Sequence, residues 1–425
     1  MLKAKKKIYK NGLRVMTIPM KDNPTVTVLV LVGTGSDYEP KEINGISHFL
    51  EHMCFKGTEK RPTSKEISHE LDALGCQYNA FTSNEYTGYY MKGDAKKIGK
   101  IFEIISDIYL NSTFPEKEIE KEKGVIIEEI NMYEDIPQAQ VQDLFEKVLY
   151  GDQPTGRSTL GTKENIYKMT QKDFIDYKKL HYVSSNTLVV VSGNINEKEV
   201  YKEIDKYFKN IKISKEGKKP KTKINQNKPE MFIKYKEIDQ THLVLGVRTF
   251  DIFNKKNKDI SILSAVLGAG MSSRLFNKLR EDMGVAYNVR ASNNPSLDHG
   301  SFQIYVGLNN EKLFEVLNEI IKECKTMTTE LVGEKELEKV KSFLIGNMKM
   351  ALESTDDVAN FYGGQELLKK EIKTMDEKIK EVKSVKSEDI RKVAKEIFKD
   401  KNLNLAIVGP VKDKLKLEKI LSFNL

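Results

Sequence analysis

The chain has 425 residues, of which 39% are hydrophobic and 31% charged, and its 70 basic and 62 acidic side chains give a formal net charge of +8. That length exceeds what one core holds and predicts two to four globular domains. The small positive excess lies beside Glu along helical stretches, with no aromatic-interleaved basic stripe, which argues against nucleic-acid binding, and no apolar run reaches the eighteen residues of a membrane span.

In chain order, the basic start at 1–10 leads into no apolar secretory segment, so no export signal is expected. Residues 7–20 read as two strands around the hairpin pair Asn11-Gly12, and the β-branched run 25–33 as a central strand. Then comes Gly45-Ile46-Ser47-His48-Phe49-Leu50-Glu51-His52-Met53, which contains H-x-x-E-H, the reverse of the order H-E-x-x-H. On a helix, His48 and His52 are four apart and share a face, so both imidazoles reach one ion. Glu51 leans to the same side but directly precedes His52, which suits it to hold a water rather than the ion. A catalytic zinc takes three protein ligands and keeps a fourth position open. The third ligand must therefore come from elsewhere.

Thr63 or Ser64 starts a helix that stops at Gly75, residues 77–82 and 86–92 pair as strands, and Asp94 caps a helix whose Ile98, Ile101, Ile105 and Ile108 share a face. The helix after Pro115 carries Glu122 and Glu129, seven apart and so on one face. Glu128, the neighbouring candidate, points about 100° away. His69 and His181 have no partner spacing and read as structural. Residues 187–193 form a buried strand, and 213–229, rich in Lys, Asn and Gln, read as a linker.

After the linker the pattern restarts. Residues 243–247 echo 27–31, and 405–409 echo 189–193, both at an offset of 216; 335–339 echo 117–121 at 218. An internal duplication accounts for this. It divides the chain into a zinc-bearing domain (1–212), the linker (213–229) and a degenerate homologous domain (230–425). At the 218 offset Glu122 and Glu129 become Val340 and Asn347, while near the 216 offset His48, Glu51 and His52 fall around Ser264, Leu267 and Gly268. One zinc per chain is expected. Cys54, Cys76 and Cys324 are odd in number and lack metal spacing, which predicts a reducing, cytoplasmic setting.

Glu129 lies seventy-seven residues after His52, and Glu122 seven before Glu129. With this spacing the chain resembles the inverzincins of the pitrilysin family, and in length the two-domain subgroup like mitochondrial processing peptidase. The resemblance implies zinc held by His48, His52 and Glu129, with Glu122 orienting a ligand His and Glu51 as the base. Leu279-Arg280-Glu281-Asp282-Met283-Gly284-Val285-Ala286-Tyr287 resembles the family's L-R-x-x-x-x-x-x-Y segment, which implies that Arg280 and Tyr287 hold substrate near the scissile bond. Read alone, they are a helix-capping Arg and a core Tyr. Gln77-Tyr78-Asn79-Ala80-Phe81-Thr82 resembles the N-A-x-T edge strand, which implies that an extended peptide adds as a strand along Asn79, Ala80 and Phe81.

The fold expected is α+β: two homologous domains, each a largely antiparallel, roughly six-stranded sheet packed with helices, forming half of a clam-shaped chamber. The resemblance implies closure by a second copy, a homodimer, with active sites completed in trans. The function expected is a zinc endopeptidase that hydrolyses short or unfolded peptides. The alternatives are a processing-peptidase subunit needing a different partner chain, and a zinc-bound peptide-binding scaffold without turnover.

Overall fold

Two sheets are built from the strands that the sequence foretells and from three that it does not single out, at 230–235, 286–295 and 300–309. The computed structural model describes residues 2–423. The first sheet contains β1 (Lys5–Ile8), β2 (Arg14–Pro19), β3 (Thr25–Val32), β4 (Gln77–Thr82), β5 (Thr87–Asp94) and β6 (Thr187–Gly193), in the order β1-β2-β6-β3-β5-β4. Gly12 turns the β1–β2 hairpin at a φ of 90°, a backbone that glycine adopts freely. Every pairing is antiparallel except β2 with β6. The second sheet contains β7 (Glu230–Tyr235), β8 (Gln240–Arg248), β9 (Ala286–Pro295), β10 (Gly300–Asn309) and β11 (Leu403–Gly409), in the order β7-β11-β8-β10-β9. There β7 and β11 form the parallel pair.

The two orders superimpose, β2 on β7, β6 on β11, β3 on β8, β5 on β10 and β4 on β9. The duplication read from the sequence is thus a duplication of topology. The second sheet has five strands among the described residues, with no counterpart of β1. Residues 211–229 carry no helix or strand.

β3 and β6 are buried on both faces, which explains their unbroken apolar runs. On one face Val26, Val28, Val30 and Val32 meet helices α1 (Ile46–Met53), α2 (Ser64–Leu74) and α3 (Ile98–Leu110). Thr63 caps α2 in a reciprocal capping box with Glu66. Two further helices follow, α4 (Glu116–Asp135) and α5 (Pro137–Tyr150).

The opposite faces show what periodicity alone does not reveal. Leu29, Leu31, Leu188 and Val190 pack against helix Thr355–Leu368 through Val358, Ala359 and Tyr362. Reciprocally, Val244, Ala406 and Val408 of the second sheet pack against α5 through Val141, Phe145 and Leu149. The two helices are themselves duplicates at an offset of 218. Each covers the sheet of the other copy. Side-chain volume matches the exchange: a Cβ on Gly363 would meet Leu31 at 2.9 Å, and one on Gly246 would meet Phe145 at 2.7 Å.

The compact units therefore do not follow the sequence copies. One comprises Met1–Ile130, Ser158–Pro220 and Lys349–Thr374; the other comprises Asn131–Arg157, Lys221–Met348 and Met375–Leu425. A division at 213–229 describes the duplication, but the packing exchanges one helix each way.

Candidate metal centre

The site is built on α1. The helix begins after Gly45, whose φ of 101° is left-handed and whose Cβ would lie 2.7 Å from the Leu160 carbonyl oxygen. A side chain is excluded there twice over. Glu39 caps the helix: its carboxylate accepts from the backbone N–H groups of Gly45 (2.7 Å) and Ser47 (2.8 Å) and from Asn44 Nδ2 (2.8 Å). An anion at this end offsets the exposed amides and the helix dipole. Burial pushes the Glu39 carboxyl up, against the backbone donors that favour its charged form. Ile46, Phe49, Leu50 and Met53 bury the opposite side of α1.

His48 and His52 come together on the remaining face, with ring centres 4.6 Å apart. Glu129, from α4, places Oε2 3.6 Å from His48 Nε2 and 3.8 Å from His52 Nε2. A tetrahedral ion with bonds of about 2.0–2.1 Å spaces its donors about 3.4 Å apart. The donors of the three residues lie within 4.8 Å of one another. Burial pushes the His48 pKa down to about 3, helped by neighbouring His52, so at neutral pH His48 is in the uncharged form that ligates a metal. Its Nδ1 is buried without a hydrogen-bond partner among the described residues.

Glu122 stands two turns before Glu129, as the spacing requires. Its Oε1 lies 3.0 Å from His52 Nδ1 and its Oε2 2.7 Å from Lys56 Nζ. Burial raises the Glu122 pKa, but the hydrogen bonds with His52 and Lys56 outweigh it and hold the carboxyl below its ordinary range. A carboxylate on Nδ1 fixes the tautomer that presents a lone pair on Nε2. Glu128 is exposed on α4, outside the trio. The donor set of two imidazoles, one carboxylate and a carboxylate-held His fits a zinc ion.

Glu51 is 9% exposed and beside the trio. Thr82, the last residue of β4, donates to Glu51 Oε2 at 2.5 Å. Burial pushes the Glu51 carboxyl up, with the Glu129 charge adding to it, while Thr82 and His52 pull the other way. β4 is the edge of the first sheet, paired on one side only. Asn79 on it is exposed and accepts from the Ala80 N–H at 2.9 Å. Strand alternation sends Ala80 to the α1 side and Phe81 to the other. There Phe81 packs with the Leu29 and Leu31 cluster, edge-on to Tyr86.

Arg280 and Tyr287 lie in the second unit, beside each other. Arg280 Nη1 donates to the Tyr287 carbonyl at 3.2 Å, and its guanidinium stands 5.0 Å from the Tyr287 ring centre. Tyr287 is 74% exposed, so it is no core residue. His69 is exposed on α2 and His181 is buried.

Sequence reading passed over Glu39 and Lys56, and gave Thr82 no role beyond its place in the edge-strand segment. Thr82 matters only because β4 runs past α1, a tertiary fact. Glu39 has no periodic relation to the helix it caps. Lys56 lies beyond the end of α1, so its ion pair with Glu122 is likewise a tertiary fact.

Residues 14–163 match the family model described as Insulinase (Peptidase family M16), and residues 168–344 match Peptidase M16 inactive domain. The uncharacterized zinc protease YmxG of Bacillus subtilis is 36% identical over 403 residues, which cover 94% of this chain and 97% of the relative. An uncharacterized zinc protease of Rickettsia bellii is 34% identical over 403 residues, covering 94% and 96%. The crystal structure of a protease from Helicobacter pylori aligns with a TM-score of 0.89 at 25% identity, covering 96% of this chain and all of that one. A peptidase M16 inactive domain from Pseudomonas fluorescens aligns equally well, at 0.89, with 16% identity over 97% of this chain and 99% of that one, a likeness of fold alone.

Proposed function

The chain belongs to the insulinase family of peptidases, family M16, and from that premise we propose that it is a zinc-dependent endopeptidase acting on short or unfolded peptides. The observation that carries the proposal is the convergence of His48, His52 and Glu129 beside a buried Glu51. His48 Nε2, His52 Nε2 and the Glu129 carboxylate would hold one zinc per chain. Bound there, the ion would supply Lewis acidity to a water and to the scissile carbonyl.

The chain's own groups do the rest. Glu122 keeps His52 in the ligating tautomer through Nδ1. Thr82 occupies Glu51 Oε2, which leaves Oε1 to take a proton from the attacking water and deliver it to the departing amine nitrogen. Burial suits Glu51 to this return, because it holds the proton more tightly than an exposed carboxylate does. The free edge of β4 receives the peptide as an added strand, with Asn79 and Ala80 along it. Backbone pairing of this kind reads extended shape more than sequence. Tyr287 donates to the carbonyl oxygen as charge develops, and Arg280 holds the substrate beside it. These two come from the partner protomer of a homodimer.

The test is cleavage of a pool of unfolded peptides, read by mass spectrometry. Wild type cleaves; chelated protein does not until zinc is restored. Glu51→Gln retains zinc and fold but loses about 10²–10⁴ in turnover, the range general-base catalysis supplies. Wild-type turnover by zinc-loaded Glu51→Gln would overturn the assignment.

A further inference from the structure

We propose that Thr82 is the positioning residue of the reaction: its hydroxyl aims Glu51 and ties the base to the strand that receives the substrate. The inference rests on the reading of Glu51 as the base. Glu51 has a long side chain with no ring or fork to fix it, and a carboxylate that moves by about 1 Å forfeits about 10² in rate. Among the described residues, the hydrogen bond at 2.5 Å from Thr82 Oγ1 is the one that restrains its carboxylate. It engages Oε2 and leaves Oε1 for the reacting water.

Thr82 is itself held by the register and by the turn behind it. It pairs with Thr87 across β4 and β5, and Thr87 Oγ1 donates to the Thr34 carbonyl at 3.0 Å. The turn beyond Thr82 rests on the 34–38 loop. Asp37 N donates to the Asn84 carbonyl at 2.8 Å and Ser36 N to the Ser83 carbonyl at 3.3 Å. A Cβ on Gly35 would lie 2.0 Å from the Ser83 carbonyl oxygen, so only glycine permits this approach. Lys219 Nζ, 3.3 Å from the buried Asp37 carboxylate, fastens the loop from the linker side. The hydroxyl is therefore fixed by backbone and not by a mobile side chain.

The consequence is coupling between binding and chemistry. A peptide added to the free edge of β4 takes its register from the strand whose last residue sets the base. Shifting β4 shifts both together, so the distance from scissile bond to Glu51 is kept.

The experiment compares Thr82→Val, which matches Thr in shape and lacks the hydroxyl, with Thr82→Ser, which keeps it, in the intact chain. Thr82→Val should lower kcat about tenfold to a hundredfold, with KM and zinc content within about twofold of wild type. Thr82→Ser should recover most of the loss. A merely structural role would move KM, zinc content or thermal stability with kcat, and Ser would fare no better than Val. That outcome, or wild-type kcat in Thr82→Val, overturns the proposal. Glu51→Gln in the same assay separates the two readings. If it stays active, the assignment of the base falls; if it is inactive while Thr82→Val is normal, this inference alone falls.

Discussion

The two copies of the duplicated unit answer the same structural problem in opposite ways. In the first, α1 presents His48, Glu51 and His52; in the second, helix Asn257–Gly268 presents Ser264, Leu267 and Gly268 at the same offset. In the first, α4 brings Glu122 and Glu129; in the second, helix Glu334–Met350 brings Val340 and Asn347. The second copy closes the gap. Leu267 is fully buried, and a Cβ on Gly268 would lie 2.4 Å from the Ala291 backbone nitrogen on edge strand β9. At Gly268 the helix approaches that strand too closely for any side chain to leave the backbone without a shift. The same architecture thus folds with Ser264, Leu267 and Gly268 in place of the two histidines and the glutamate. The cluster in the first copy is not there for stability, because burying His48 and Glu51 costs free energy that apolar packing would not. Polar groups retained at such a cost mark a site of chemistry.

The comparison breaks most sharply if the metal cluster is grafted where the second copy has closed. Gly268→His is expected to destabilise the chain by about 1–3 kcal/mol through overpacking against β9, measured by denaturant unfolding, without adding a second zinc. A stable Gly268→His protein would mean that the helix and β9 separate readily and that the closure is not what the backbone contact implies.

A smaller difference concerns a buried titratable group. His181 ends helix Gln171–His181, and Ile397 ends its duplicate Ser387–Ile397. Burial lowers the His181 pKa from 6.5 to about 4. The unfolded chain therefore binds a proton there between pH 6.5 and 4 that the folded chain refuses. Stability from this group is full above pH 6.5 and falls as pH drops towards 4, by about 1–3 kcal/mol. His181→Ile, the residue of the other copy, should flatten that limb of the stability profile. An unchanged slope between pH 6.5 and 4 would show that His181 is protonated in the folded state.

The duplication and the two same-face pairs were legible in the sequence because they are periodic, whereas the joining of Glu129 to the two histidines was implied by the family resemblance and not by any period. Helical spacing puts His48 with His52 and Glu122 with Glu129, and constant offsets of 216 and 218 placed β11 and helix Glu334–Met350 in advance. The exchange of α5 and helix Thr355–Leu368 was not legible. Their apolar faces say that they are buried, and nothing in a single chain's periodicity says against which sheet. The contact of Thr82 with Glu51 was hidden for a related reason, although the edge-strand segment includes Thr82, since Glu51 lies thirty-one residues away on another element. Read alone, Tyr287 was a core residue, because an aromatic at the start of a strand is usually buried; only the family resemblance pointed to a side chain that faces substrate, and Tyr287 is exposed.

The central claim is that one copy holds a metal and the other cannot, and metal content tests it most directly. Zinc per chain should be one in the purified wild type, and should fall well below one in Glu129→Asn, which installs the residue that the second copy carries at this position. Two zinc ions per wild-type chain, or an undiminished one in Glu129→Asn, would contradict the account.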